Sequence, residues 1–226
     1  MATGPLPTRV SNDRIVGTYD RIATLYDWFV ARLAASTRVH VLWALGPSPG
    51  ERILELGCGG GNALVEMADS VAPDGRAVGL DASPGMLDRA HDRIGGRNGG
   101  SDAAVTLGDA RVLPFEDATF DAIYVAETLE LFSACETETV LEECRRVLRP
   151  DGRLVAASMD RAGWEDTAFV RAYEWVYRNL PGYASVGCRP IYVEEVVATS
   201  GFEIEYSEQV IPAGLWPIRI VRARPA

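Results

Sequence analysis

Short apolar runs alternating with helix-periodic stretches constrain the fold of this chain more than any other feature. "RILEL" (52–56) precedes a helical pattern over Asn62–Val71, and "RAVGL" (76–80) precedes one over Pro84–Ile94. "AAVTL" (103–107) is followed by a short connection, "FDAIYVA" (120–126) by a helix over Thr137–Leu148, and "GRLVAAS" (152–158) by a long helical region over Trp164–Leu180. Strand and helix in alternation predict a parallel sheet with helices on both faces. "FEIEYSEQV" (202–210) and "IRIVRAR" (218–224), separated only by "IPAGLWP", read as an antiparallel hairpin at one edge. The expectation is an α/β fold: a doubly wound, seven-stranded sheet, mostly parallel, with an antiparallel C-terminal edge hairpin. Ahead of the first strand, Ile15, Ile22, Leu25, Phe29 and Leu33 recur at helical spacing.

A length of 226 residues fits one domain. Within it, 13–45 reads as N-terminal helices, 51–158 as a ligand-binding core, 159–190 as a substrate cap and 191–226 as the C-terminal hairpin region. The net charge of −10 argues against a nucleic-acid partner, which needs a basic face to neutralise phosphates. Every one of the 22 basic residues is Arg, a bias of genome or habitat that says little about function. Cys58, Cys135, Cys144 and Cys188 form no Cys-x-x-Cys pair, and with two His no metal site is expected. The N-terminal stretch has no apolar signal region, and no run reaches the roughly 18 residues of a membrane span. The chain therefore reads as cytoplasmic, with peripheral membrane association through an apolar patch left open.

The first strand runs straight into glycines: "RILELGCGGGNAL" places Gly57, Gly59, Gly60 and Gly61 within five positions. Glycine loses more backbone freedom on folding than any other residue, so such a cluster needs a reason. One glycine suffices for a tight turn. Four suit backbone that must approach a ligand closely, ahead of a helix whose N-terminus offers free amides. Two classes of nucleotide-like cofactor compete for such a turn. Dinucleotide sites want Gly-x-Gly-x-x-Gly, but the position five after Gly57 is Asn62. The observed pattern is Glu55-x-Gly57-x-Gly59-x-Gly61, with a second acid, Asp81, at the tip of the next strand. A carboxylate there can hold both hydroxyls of a ribose. It can equally cap the helix that begins near Pro84.

"ILELGCGGGNAL", "GLDASPGMLDRA", "GDARVLPFEDATFDAI" and "LEECRRVLRPDGRLV" together resemble the class I S-adenosylmethionine-dependent methyltransferases, whose fold is Rossmann-like. Within them the chain is similar to the menaquinone and ubiquinone C-methyltransferase group, and "GTYDRIATLYDWF" resembles that group's opening helix. The resemblance implies S-adenosylmethionine as cofactor. It implies that Gly57, Cys58, Gly59 and Gly61 pass under its methionine and ribose parts, with Glu55 steering the α-amino group. Asp81 would hold the ribose hydroxyls, and Ala82 and Met86 would flank the adenine. Asp109 would take the adenine amino group and the Ala110 amide a ring nitrogen. Ala126 would sit near the reacting methyl, and Tyr19 would close over the cofactor. Asp121 would brace the sheet.

Methyl transfer from a sulfonium needs alignment and exclusion of water, and a base only where the nucleophile is protonated. Glu127, at the mouth of the site in "AETLELF", is either the catalytic candidate or a solvated helix-start carboxylate; Glu130 reads as a solvated carboxylate. His40, among apolar neighbours in "TRVHVLWAL", reads as packed or half-buried, and His91 in "DRAHDRI" as a surface residue. Trp164, Phe169, Tyr173, Trp175, Tyr177 and Tyr183 are either ordinary core or a hydrophobic cap over the acceptor, which Leu215 and Trp216 would extend. Arg189 is an anchor for an acidic group or a solvated cation. The reading is a methyltransferase acting on a small, hydrophobic, quinone-like acceptor. The alternatives are a phospholipid or small-amine N-methyltransferase, and a relative that binds the cofactor and transfers nothing.

Overall fold

The computed structural model describes residues 14–21, 35–96, 102–180, 188–212 and 216–226. Ile22, Leu25, Phe29, Leu33, Tyr183 and Leu215 lie outside the described residues. A helix over 14–21 (α1) and α2 (Ala35–Leu45) precede β1 (Arg52–Leu56), α3 (Asn62–Val71), β2 (Arg76–Asp81), α4 (Pro84–Gly95) and β3 (Asp102–Leu107). Then come β4 (Phe120–Ala126), a 3-10 turn (Leu129–Leu131), α5 (Ala134–Val147), β5 (Leu148–Met159), α6 (Ala168–Asn179), α7 (Val193–Thr199), β6 (Phe202–Val210) and β7 (Ile218–Pro225).

The seven strands form one sheet in the order β3-β2-β1-β4-β5-β7-β6. β1 to β5 are parallel; β7 runs antiparallel to both β5 and β6. The expected hairpin is present, and its second strand is the one inserted beside β5. Both sheet faces are covered. Leu54, Leu56, Ile123 and Val125 pack with residues of α5 and α7 on one side. Ile53, Ala77, Ala122 and Val155 pack with α2 and α3 on the other. Among the described residues, no helix is long and apolar enough to cross a membrane.

Chain order reverses at β1, which has β2 on one side and β4 on the other. Ligands bind at the carboxyl edge of an open sheet where strand order reverses. Register brings the loops together there. Leu56 pairs with Leu80 and with Val125, and Asp81 pairs with Leu107, so the segments after β1, β2, β3 and β4 emerge at one edge. At the opposite edge Asp121 accepts from the Arg52 amide (2.8 Å) and pairs with Arg149, bracing the sheet as expected.

Three boundaries differ from the periodic reading. β5 begins at Leu148, four residues before the run at 152. α5 begins three residues before Thr137, because Ser133 and Glu136 close a capping box ahead of it. α6 starts at Ala168, where the Thr167 hydroxyl accepts from the Val170 amide. The seven-residue α7 is too short for periodicity to have announced it. His40 is not packed: its side chain is 49% exposed and lies 3.7 Å from Glu208. The buried face of α2 is Thr37, Val41, Ala44 and Leu45, and His40 lies off it. His91 is exposed, as expected.

Candidate active site

At the carboxyl edge lies a cavity of about 580 Å3, within the range of small-molecule sites. It is walled by α1 and by the loops after β1, β2, β3 and β4. The glycines after β1 do different jobs. Gly57 has φ +68°, and a β-carbon there would collide with the Thr128 side chain. Its amide donates to the Leu80 carbonyl (2.8 Å), laying the turn against the end of β2. Gly59, at φ +50°, has no atom within 4 Å of where its β-carbon would stand, and its amide donates to Asp81 Oδ2 (2.8 Å). Gly57, Cys58, Gly59 and Gly60 line the cavity. Gly61, expected with them, is not among the lining residues. It is the N-cap of α3 at φ +76°, and a β-carbon there would sit 3.1 Å from Ala90 Cβ. Its role is the close packing of α3 on α4. No side chain caps the start of α3, which leaves that helix terminus to face the cavity through Asn62 and Ala63.

Asp81 lines the cavity with its carboxylate fixed from behind: Oδ2 accepts from Gly59 and Oδ1 from the Ser83 amide (2.9 Å). Each oxygen keeps a second lone pair, enough for two adjacent hydroxyls. Burial raises its pKa. Helix α4 is capped not by Asp81 but by Ser83, whose Oγ accepts from the Met86 amide (3.2 Å). Glu55 also lines the cavity, is buried, and has one oxygen, Oε2, without a protein partner. Burial first, then the Asp81 charge, pushes its carboxyl well above the usual range. A buried carboxyl with an open oxygen calls for a cation. The set therefore suits a ligand carrying vicinal hydroxyls, an ammonium group and an anionic end.

Ala82, Met86, Ala110, Ala126 and Tyr19 all line the cavity. The Tyr19 hydroxyl lies 3.9 Å from Cys188 Sγ. Asp109 lines it too, with both carboxylate oxygens already held by Arg111 (Nη2 to Oδ2, 2.6 Å; Nε to Oδ1, 3.0 Å), which lowers its pKa. Arg111, which also pairs with Glu136, is a lining residue the sequence reading passed over. Its position two after Asp109 in "GDAR" was the available signal.

Glu127 stands at the cavity with φ +52°, a left-handed conformation costly for a side chain and frequent at functional sites. Its amide donates to the Ala157 carbonyl (2.7 Å), and burial raises its pKa. Glu130 is not solvated: it is 2% exposed, because the 3-10 turn after β4 folds it inward. Burial, with the nearby Glu127 charge adding to it, lifts its pKa to about 7. The folded state thus holds this proton more tightly than the unfolded chain. Stability is full below about pH 4.5 and falls as pH rises towards 7, by roughly 3 kcal/mol from this group alone. Glu130→Gln should shrink that slope and leave the variant more stable than the parent at pH 8. Glu55, Asp81 and Glu127 shift the same way, so some slope remains. Urea midpoints from pH 4.5 to 8 test it, and parallel profiles for variant and parent would contradict it.

Arg189 is buried and bonded to the Phe132 carbonyl, so it is not a solvated cation. Of the aromatic stretch, Tyr177 is buried, Tyr173 packs into the core and Trp175 is 64% exposed. Phe169 packs on Tyr173, and Trp164 Nε1 donates to Gln209 (3.2 Å). None of these five lines the cavity.

Residues 53–152 match the family described as "Methyltransferase domain". The chain is 31% identical over 190 residues to the 2-phytyl-1,4-naphtoquinone methyltransferase of Synechococcus elongatus, a match taking in 80% of this chain and 78% of that one. This chain belongs to the S-adenosylmethionine-dependent methyltransferases. It is also 30% identical over 179 residues to the demethylmenaquinone methyltransferase of Lactococcus lactis, with 76% and 68% covered. It spans only 39% of a 37.1 kDa transposon protein of Streptomyces fradiae, to which it is 36% identical over 141 residues. Among solved structures it superposes on the [4+2]-cyclase SpnF with a TM-score of 0.75 at 19% identity, covering 98% of each chain. The cofactor of this methyltransferase is S-adenosylmethionine, and the open Glu55 oxygen and the unobstructed Gly59 backbone fit such a group.

Proposed function

We propose that this methyltransferase acts on a small, apolar, quinone-like ring acceptor. The observation that carries the reading is the apolar part of the cavity wall beyond β4. Ile15 and Val16 of α1, and Leu131 and Phe132 from the turn after β4, line the same cavity as Glu127. The named substrates of the Synechococcus and Lactococcus relatives, a phytyl naphthoquinone and a demethylmenaquinone, are of that kind.

S-adenosylmethionine supplies, when bound, a methyl group on a sulfonium with a neutral leaving group. Asp81 would hold the ribose hydroxyls, Glu55 the α-ammonium, and the backbone of Gly57, Cys58 and Gly59 would run beneath. Ala82 and Met86 would flank the adenine, with Asp109 and the Ala110 amide at its edge. Ala126 and Tyr19 would bound the reacting region. α1 excludes water, and the apolar wall orients the acceptor for in-line attack. Glu127 takes the proton that the acceptor loses. No described residue of 159–190 lines the cavity, so the acceptor wall rests on α1 and the turn after β4.

The test is incubation with methyl-labelled cofactor and a bacterial lipid extract. Label in the isoprenoid-quinone fraction is expected. Label in phospholipid would establish the N-methyltransferase alternative instead. Label nowhere would favour a binder without transfer.

A further inference from the structure

α1 is tied to the carboxyl edge of the sheet by a polar anchor at Asp20. Asp20 Oδ1 accepts from the Ser83 hydroxyl and from the Gly85 amide (3.0 Å), both at the start of α4. Helix starts carry orphan amides and partial positive charge, so an acid from another element is well placed there. Gly85 leaves the room: a β-carbon on it would lie 3.2 Å from Asp20 Oδ1 and 3.3 Å from the Asp20 carbonyl. Ser83 is shared. Its hydroxyl serves Asp20 while its own amide donates to Asp81 Oδ1 (2.9 Å). The helix held this way carries Ile15, Val16 and Tyr19 into the cavity wall, and Ile15 is 4% exposed.

We propose that Asp20 is a positioning residue that latches α1 onto the N-terminus of α4, and that Ser83 joins this latch to the Asp81 carboxylate, so that seating of α1 and binding of the cofactor favour one another. The coupling rests on Asp81 holding the ribose; the latch itself does not, and the acceptor enters neither. Coupling of this kind is reciprocal: what loosens α1 weakens the ligand, and the ligand stills α1.

The experiment uses the full chain, with S-adenosylhomocysteine as probe in calorimetry and hydrogen exchange read over residues 14–21. Asp20→Ala should weaken binding about tenfold, inside the usual range of coupling between sites. Gly85→Val, which crowds Asp20 and α1 while leaving both carboxylates in the chain, should cost a similar factor, and Asp20→Asn, which keeps an acceptor for the Gly85 amide, should cost less. In ligand-free protein, exchange over 14–21 should quicken in Asp20→Ala and Gly85→Val, with β1 and β4 unchanged as the internal control. The probe should slow that exchange in the parent and not in Asp20→Ala. In Asp20→Ala combined with Asp81→Asn, the affinity loss should be smaller than the product of the two single losses.

Unchanged affinity in both Asp20→Ala and Gly85→Val, or exchange over 14–21 that ignores the probe in the parent, would overturn the coupling. Losses that simply multiply would overturn the Ser83 link. Quickened exchange in Asp20→Ala together with unchanged affinity in Asp81→Asn alone would uphold the latch and overturn the ribose assignment.

Discussion

Asp81→Ala should weaken S-adenosylhomocysteine binding by roughly 30- to 1,000-fold. Two charge-assisted hydrogen bonds to adjacent hydroxyls are lost, together about 2–4 kcal/mol at 1.4 kcal/mol per factor of ten. The Gly59 and Ser83 amides lose their acceptor as well, so the turn after β1 loses one tie to β2 while the Gly57 and Cys58 amides keep theirs to the Leu80 carbonyl. Folding should suffer little, because the buried carboxylate is itself costly in the free protein, as its raised pKa records. Calorimetry beside a urea melt separates the two effects. A dissociation constant within threefold of the parent would remove Asp81 from the ribose, whatever the melt shows.

Removal of the Asp160 carboxylate should cost a large part of the fold's stability. Asp160 follows the last β5 residue and is 1% exposed. Its Oδ2 accepts from Arg219 Nε on β7 (2.8 Å) and from Gln209 Nε2 on β6 (2.8 Å), and its Oδ1 from the Ala162 amide (3.1 Å). One carboxylate thus ties the C-terminal hairpin to the end of β5. Taking one partner from a buried pair costs about 3–5 kcal/mol. Asp160→Ala should fall near 3, because Arg219 is 20% exposed and can turn to Glu194, now 3.5 Å away. Domains of this size are stable by about 5–15 kcal/mol in all, so a large part of the margin goes. Adding Arg219→Ala should restore some of the loss, since it withdraws a cation left with only the more distant Glu194. A urea-derived change below 1 kcal/mol for Asp160→Ala would show that the hairpin is held by its strand pairing alone.

Cofactor affinity and fold stability thus hang on different parts of the sheet, and those parts were unequally legible. The glycine turn and Asp81 stand twenty-odd residues apart with a strand and helix between. Each is readable because the demand is local: left-handed backbone at Gly57 and Gly59, an acid at a strand tip. Ser83 with Pro84 after it was an equally local helix-start signal. Glu130 was misjudged because burial is not local. Three residues after Glu127 it looks like any helix-start carboxylate until the turn after β4 folds it inward.

What the sequence determined on its own, then, is the doubly wound sheet and the edge that receives the cofactor, since side-chain period and glycine backbone freedom act within a few residues. The tertiary structure decided the insertion of β7 beside β5, the packing of Gly61 against Ala90, the Arg111 hold on Asp109, the burial of Glu130 and the seating of Asp20 on α4. Each of these is a contact between segments distant in the chain, whose energy exists only once the sheet has brought them within reach.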